Sequence, residues 1–247
     1  MRSQPLGRCL RLALALLLLS LAALTGAADH LADDARALLA FRDAVGRHLP
    51  WSASVHTGPG PCSWVGVSCE SGRVTALRLP GARLSGQVPA GTLGNLTALR
   101  TLSLRRNALS GGLPSDLASA ALRNVFLDGN RLSGEFPRAV LALRGLARLA
   151  LGGNRLSGHI PAALGNLTRL RTLLLENNRF DGEIPEMTLP ELQQFNVSFN
   201  PRLSGSIPVE MSSMPRSAFL GTRLCGRPLG PCPAGKQSPS SATGQPA

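Results

Sequence analysis

The chain has 247 residues, and its 26 lysine and arginine residues outnumber its 14 aspartate and glutamate residues, so its formal net charge is +12 at pH 7. A basic surface can bind nucleic acid. However, aromatic residues make up only 4% of the chain, and no aromatic stacking platform accompanies the basic residues. The composition therefore disfavours nucleic acid and favours a partner that carries acidic groups.

The first 28 residues have the pattern of a secretory signal peptide. Arg2, Arg8 and Arg11 form a basic start, residues 12–24 form an apolar run, and residues 26–28 provide a small-residue cleavage site. This apolar run is shorter than the ~20 residues that a membrane-spanning helix needs. The sequence therefore predicts an extracellular, secreted chain, which also separates it from nucleic acid.

A single sequence pattern, L-x-x-L-x-L-x-x-N-x-L-x-G-x-x-P, recurs through the middle of the chain. Residues 146–161 fill it completely, and the six copies start at residues 74, 99, 122, 146, 170 and 192. The first copy has Ala82 in place of the asparagine, and the last has one inserted residue before Leu203. Repeats with a period of roughly 20–50 residues are typical of solenoids.

Each repeated residue type has a physical role. The segment L-x-x-L-x-L places leucines on one face of a short strand, because strand side chains alternate. The asparagine amide can donate and accept hydrogen bonds where the chain turns, and proline suits an extended return path without a ladder partner. We expect a buried core that includes Leu102, Leu104, Leu127, Leu149, Leu151, Leu173 and Leu175. We also expect a ladder of Asn107, Asn130, Asn154 and Asn178 bonded to backbone.

Several phrases resemble one known family. The L-x-G-x-I-P element is similar to the plant-type leucine-rich repeat. Residues 33–46 (DDARALLAFRDAVG) and 61–69 (PCSWVGVSC) resemble the N-terminal cap of plant receptor-like kinase ectodomains, and residues 219–232 (FLGTRLCGRPLGPC) resemble their C-terminal cap. The short ectodomain and the phrase LQQFNVSFN at 192–200 are similar to a branch with often inactive kinases.

The resemblance implies an α/β solenoid with short parallel β-strands on its concave face and a disulfide cap at each end. We expect a signal peptide at 1–28, an N-terminal cap at 29–73 and six leucine-rich repeats at 74–216. A C-terminal cap at 217–232 and a disordered Pro/Ser-rich tail at 233–247 complete the chain. In this family such a tail leads to a transmembrane helix and a kinase, so a full-length receptor would lie in the plasma membrane with this part outside.

Four cysteines remain after the signal peptide, namely Cys62, Cys69, Cys225 and Cys232. They permit three pairings. Six stacked repeats place the two ends roughly 25–30 Å apart by strand spacing, whereas bridged Cα atoms lie within about 7 Å. Only the pairs Cys62–Cys69 and Cys225–Cys232 are compatible with that distance.

Three N-x-[ST] sequons, at Asn95, Asn166 and Asn196, are candidate glycosylation sites. Asn95 and Asn166 share the phrase LGNLT, which we expect on the outer side of the coil. Asn196 takes the middle outward position of the last strand. A glycan there would cover the C-terminal end of the concave face.

The sequence carries no recognisable catalytic or metal site. It contains no H-R-D, D-F-G or V-A-I-K phrase, and Lys236 is its only lysine, which excludes phosphoryl transfer by this chain. Gly230, Gly235 and Lys236 resemble a phosphate-binding loop, but Gln237 replaces the hydroxyl residue that would hold magnesium. The cysteine spacing and the scattered histidines disfavour metal ligation. We therefore predict no enzyme, no catalytic residue, no metal and no cofactor.

The outward strand positions are the candidate ligand-binding residues. The basic ones are Arg78, Arg100, Arg105, Arg106, Arg123, Arg148 and Arg171. Asp128 and Glu176 are the acidic exceptions, and Phe126 and Leu174 occupy middle outward positions. One interpretation is a merely solvated basic face. The other is that Phe126 and Leu174 form an apolar foothold while the arginines align an acidic peptide or partner surface.

The leading functional prediction is an extracellular recognition module, the ligand-binding or co-receptor ectodomain of a plant receptor-like kinase. Its partner would be a protein or peptide ligand, including an acidic one, or another receptor ectodomain. The alternative is a freestanding secreted inhibitor of cell-wall-degrading enzymes that resembles polygalacturonase inhibitors. A structural wall protein is a third reading, but it would need long low-complexity repeats.

Overall fold

The leucine-rich segments form parallel strands that lie side by side on one face of the protein. A computed structural model describes residues 29–52 and 60–233. Within them, the first sheet contains β1 (Val67–Glu70), β2 (Arg73–Arg78), β4 (Thr101–Ser103), β6 (Asn124–Phe126), β8 (Arg148–Ala150), β10 (Thr172–Leu174) and β12 (Gln194–Asn196). These strands lie side by side in that order, and only β1 is antiparallel to its neighbour. The predicted repeat register is therefore confirmed.

A second parallel sheet of seven strands corrects our expectation that the return path lacks ladder partners. It contains β3 (Ser85–Gln87), β5 (Ala108–Gly111), β7 (Arg131–Gly134), β9 (Arg155–His159), β11 (Arg179–Gly182), β13 (Arg202–Ser206) and β14 (Arg223–Cys225). The proline does not interfere, because it follows the strand. Pro161, for example, lies two residues beyond the end of β9, so its missing N–H interrupts no ladder.

In the described part of the chain, four short 3-10 turns connect a strand of the second sheet to the next strand of the first, namely Leu93–Asn95, Ser115–Ser119, Arg138–Ala142 and Ala162–Asn166. Pro61–Ser63 precedes β1, and Val209–Met211 and Arg216–Phe219 lie between β13 and β14. Among the described residues, the only α-helix is α1, which spans residues 29–45 of the N-terminal cap. The predicted α/β solenoid is thus confirmed as a fold, and its helical part lies at the N-terminal end.

The core fills the space between the two sheets and the 3-10 turns. All seven leucines predicted to be core are fully buried. Additional leucines from the turns, such as Leu143 and Leu167, close the core from the convex side. Because each repeat supplies apolar side chains that only its neighbours can cover, the core is continuous along the solenoid.

The predicted asparagine ladder is confirmed, and it links neighbouring repeats. Asn154 donates from Nδ2 to the carbonyl oxygens of Leu127 (3.0 Å) and Leu151 (2.9 Å). Its Oδ1 accepts from the amide of Leu132 at 3.0 Å. Asn107, Asn130 and Asn178 make the equivalent bonds, and Asn200 extends the ladder.

The residue directly before each ladder asparagine lies in the turn that leaves the strand. It has a positive φ in every repeat, from 52° at Asn177 to 68° at Gly129. Glycine adopts this conformation without a Cβ penalty. Phe199, by contrast, has a φ of 55° and remains 56% exposed, so its side chain does not compensate the backbone cost by burial.

The N-terminal cap is attached to the first repeat through a buried carboxylate. Asp34 of α1 accepts hydrogen bonds from the amide of Val74 (2.9 Å) and from Nε of Arg73 (3.1 Å). The hydrogen bond to Asp34 raises the pKa of the Arg73 guanidinium above its ordinary value. Trp51 and Trp64 stack with ring centroids 5.4 Å apart beneath the cap.

Both predicted disulfides are present. Cys62–Cys69 closes the N-terminal cap with a Cα separation of 5.4 Å, and Cys225–Cys232 closes the C-terminal cap at 4.9 Å. Cys225 ends β14, the last strand of the second sheet. The bond therefore ties the terminal loop to a strand that covers the last repeat.

Two predicted segments fall wholly or mostly outside the described residues. These are the signal peptide at 1–28 and the tail at 233–247, of which only Pro233 is described. In the part of the chain that the structure describes, no helix is both long and apolar enough to cross a bilayer.

The first prediction tests the core. Leu151→Ala should lower the free energy of unfolding by about 2–5 kcal/mol, because it leaves a cavity between neighbouring repeats. Leu174→Ala is the matched control, since Leu174 is half-buried on the adjacent strand and should cost clearly less. Urea unfolding of both variants measures the difference. A loss of under about 0.5 kcal/mol for Leu151→Ala would contradict the register.

The second prediction tests the C-terminal cap. Cys225→Ser should remove about 2–3 kcal/mol of stabilisation, by loop-entropy arguments, and should expose the last repeat before the middle ones. Hydrogen exchange read by mass spectrometry will show whether protection is lost first in residues 192–225. The matched variant Cys62→Ser should lower the hydrogen-exchange protection of the N-terminal end first. An equal loss of protection along all repeats in both variants would contradict the proposal that each disulfide stabilises its own cap.

Candidate ligand-binding face

The strand register places Phe126 and Leu174 on either side of Ala150. Phe126 pairs with Ala150, and Ala150 pairs with Leu174. We call these three residues the apolar strip. It occupies the middle outward column of the first sheet, with Ser103 before it and Asn196 after it. Phe126 and Leu174 are half-buried and Ala150 is buried, so the strip is a shallow depression between two larger side chains.

Arg105 belongs to the support of this strip. Its guanidinium carbon lies 4.6 Å from the centroid of the Phe126 ring. Its Nε lies 3.5 Å from Oδ1 of Asp128. Arg105 stays a predicted ligand-binding residue, but its side chain is half-buried and already contacts an aromatic face and a carboxylate.

The other predicted arginines divide between two columns. Arg100, Arg123 and Arg171 occupy one column, with Ala147 between the last two, as shown by the bonds from Arg123 N to Arg100 O and from Arg171 N to Ala147 O, both 2.8 Å. Arg148 pairs instead with Asn124 and Thr172, one column closer to the strip. The four arginines predicted to align a ligand therefore lie in two neighbouring columns.

Two of these arginines already have carboxylate partners. Nη1 of Arg100 lies 2.5 Å from Oε2 of Glu70, and Nε of Arg171 lies 2.8 Å from Oε2 of Glu191. Both pairs are exposed, so each contributes little stability. Sequence analysis missed both partners, because the repeat pattern does not reveal β1 of the cap, which carries Glu70.

The remaining predicted arginines differ in their exposure and in their internal partners. Arg123 and Arg148 are exposed and have no ion pair among the described residues. Arg78 lies at the N-terminal end of the middle column and donates a long bond of 3.4 Å to Oγ of Ser68. Arg106 is exposed at a turn with a positive φ. Arg123 and Arg148 are therefore the cations best placed to meet a ligand on the strip.

The opposite side of the strip is acidic. Asp128, Gly152 and Glu176 succeed one another in the column after the strip, as the bonds from Gly129 N to Gly152 O and from Gly153 N to Glu176 O show. The Glu176 carboxylate folds over Gly152, where a Cβ would lie 2.4 Å from Oε1. Burial raises the pKa of the Glu176 carboxyl, and the negative charge of Asp128 adds to the rise.

One oxygen of this acidic pair has no partner. Oε2 of Glu176 is buried without a hydrogen-bond donor among the described residues, whereas the buried Oδ1 of Asp128 makes no hydrogen bond but faces Nε of Arg105 at 3.5 Å. Buried acceptors without donors are costly. The concave face therefore combines an apolar centre, free guanidinium groups on one side and buried acceptors on the other, rather than a uniform basic surface.

The sequons lie in two kinds of position. Asn95 and Asn166 are exposed at the ends of 3-10 turns, away from the first sheet. Asn196 pairs with Leu174 in the middle column, and its Oδ1 accepts from the amide of Ser198 at 3.0 Å. A glycan on Asn196 would therefore adjoin the apolar strip directly. Within the described residues, no group of three or more His, Cys, Asp or Glu side chains is arranged to hold a metal.

Comparisons with known proteins match this architecture. A family model described as leucine rich repeat N-terminal domain matches residues 31–70, and leucine rich repeat models match residues 98–120 and 120–180. The chain is 52% identical over 232 residues to the probable inactive receptor kinase At1g48480 of Arabidopsis thaliana. That match covers 93% of this chain but 34% of the relative, so the chain spans about a third of the relative's length.

Solved structures give the same result. The BIR2 ectodomain from Arabidopsis thaliana is 32% identical, with a TM-score of 0.61, and the match covers 80% of this chain and 96% of that one. A chain of the BIR3–SERK2 complex from Arabidopsis thaliana is 29% identical, with a TM-score of 0.60, over 80% of this chain and 98% of that one. Together with the repeats and the two disulfide caps, these similarities show that the chain belongs to the ectodomains of plant leucine-rich-repeat receptor kinases.

Proposed function

We propose that this chain is an extracellular recognition module whose concave face binds a segment of another protein, either a peptide ligand or a second receptor ectodomain. The observation that supports this proposal is the apolar strip between two sets of available polar groups. Arg123 and Arg148 lie on one side, and the buried acceptor oxygens of Asp128 and Glu176 lie on the other.

The arrangement specifies the chemistry of the ligand. An aliphatic or aromatic side chain would cover Ala150 and contact Phe126 and Leu174. A carboxylate of the same segment would pair with Arg123 or Arg148, and guanidinium groups favour such planar partners. On the other side, an N–H or ammonium group would satisfy Oε2 of Glu176. An acidic peptide alone would leave this oxygen without a donor, so we propose a ligand with mixed charge.

The comparisons support a receptor partner. The BIR3–SERK2 structure is a complex between two named proteins, and a chain of it is similar to this protein over most of its length. The relatives are receptor kinases, which favours this function over the alternative of a freestanding secreted inhibitor. We further propose that the chain is non-catalytic and, in a full-length receptor, lies outside the plasma membrane.

The third prediction tests the apolar strip with the purified SERK2 ectodomain as the probe. Phe126→Ala should weaken binding at least tenfold, about 1.4 kcal/mol, because the main apolar contact of the strip is lost. Biolayer interferometry measures the dissociation constants. Phe199→Ala is the control, since Phe199 is exposed but lies beyond β12, the last strand of the first sheet.

Three results would argue against this site. Failure of the wild-type chain to bind would exclude this partner class. Equal binding by wild type and Phe126→Ala would exclude the strip. A larger loss for Phe199→Ala would move the site to the C-terminal edge.

The fourth prediction tests the charge arrangement. Arg123→Glu combined with Arg148→Glu should reduce the association rate and weaken binding at least tenfold, because these cations lack internal partners. The control Arg131→Glu with Arg155→Glu changes the net charge equally on the second sheet and should have less than a twofold effect. Similar losses in both double variants would mean that only net charge matters.

A further inference from the structure

A row of arginines lies along the lateral side of the repeats, outside the apolar strip. Arg100, Arg123, Arg144 and Arg169 line one open cleft of about 450 Å³. They precede four successive strands of the first sheet, β4, β6, β8 and β10, with one arginine before each. Arg144 and Arg169 precede their strands β8 and β10, and sequence analysis assigned neither of them to a site. We call these four residues the lateral arginine row.

The cleft is strongly electropositive. All four arginines are exposed, and among the described residues that line the cleft none is acidic. The spaces between the guanidinium groups are lined by small residues, including Ala121 and Gly145. Four cations without a carboxylate in the cleft repel one another, and an anion relieves that repulsion.

The internal bonds of the row leave its donors largely available. Nη1 of Arg144 donates to the carbonyl oxygen of Asn166 at 3.3 Å, and Arg100 reaches Glu70 outside the cleft. Arg123 and Arg169 have no ion pair among the described residues. Each guanidinium offers several N–H donors in a planar fork that fits a carboxylate.

The spacing of the row distinguishes between kinds of anion. Neighbouring strands stack at ~4.8 Å, and one arginine of the row precedes each of four successive strands along the solenoid axis. A single small anion would use one or two of these arginines. A folded acidic protein rarely repeats its carboxylates at a constant short interval, whereas a linear chain of uronic acids carries one carboxylate per sugar ring.

We propose that the lateral arginine row binds a linear polyuronate, with successive sugar carboxylates paired to successive arginines. Its small lining residues admit an extended, unbranched chain close to the backbone. Arg144 and Arg169 lie before the strands and contribute nothing to the apolar strip, whereas Arg123 is shared with the proposed concave site. The test therefore changes only Arg144 and Arg169, so that its outcome does not depend on the proposed function.

The fifth prediction uses the full chain, produced in a secretory host, and de-esterified oligogalacturonate as the probe. Wild type should bind the oligomer, and the methyl-esterified oligomer should bind at least fivefold more weakly. Raising the salt from about 50 mM to about 300 mM should also weaken binding, since exposed charges are screened. Arg144→Gln with Arg169→Gln should weaken binding at least fivefold, measured by microscale thermophoresis.

The controls separate a built site from general attraction. Arg155→Gln with Arg179→Gln removes the same charge from the second sheet and should change affinity less than twofold. Phe126→Ala should leave oligogalacturonate binding unchanged. Equal loss in the two arginine double variants, tighter binding of poly-glutamate than of the oligouronate, or no binding by a wild type with a normal circular dichroism spectrum would each overturn the proposal.

Discussion

The asparagine ladder is the interaction on which the rest of the structure depends. Every repeat leaves its strand through a turn that buries backbone carbonyl and amide groups, and each such group without a partner costs about 1–3 kcal/mol. Asn178 bonds the carbonyls of Leu151 and Leu175 and receives the amide of Leu156. One side chain thereby forms hydrogen bonds with backbone groups of two neighbouring repeats and fixes their relative position. The leucine core then packs in a single register.

That register determines the surface as well as the core. The repeat from 146 to 161 contributes the two smallest outward residues, Ala150 and Gly152. Ala150 creates the depression between Phe126 and Leu174, and Gly152 gives the Glu176 carboxylate room to fold toward Asp128. Both features arise because the small side chains of this repeat leave space between the larger side chains of its neighbours.

The arginines serve different physical purposes despite their shared charge. Arg73 fastens the cap to the first repeat through the buried carboxylate of Asp34, and Arg105 supports the Phe126 ring. Arg123 instead stands exposed at the border between the concave face and the lateral cleft. An excess of basic residues therefore does not define one binding surface. Burial and internal partners distinguish the arginines that stabilise the fold from the arginines that are free to bind a ligand.

The sequence by itself determined the repeat register, the leucine core, the asparagine ladder and both disulfide pairs, because these depend on periodicity and on distances along the stack. It also placed Phe126 and Leu174 in one outward column. Only the tertiary structure decided that Arg105 is engaged, that Arg100 and Arg171 have carboxylate partners, and that the return segments form a second sheet. Ion pairs and neighbouring columns arise from residues in different repeats and from the cap hairpin. A repeat pattern read along the chain does not encode those contacts.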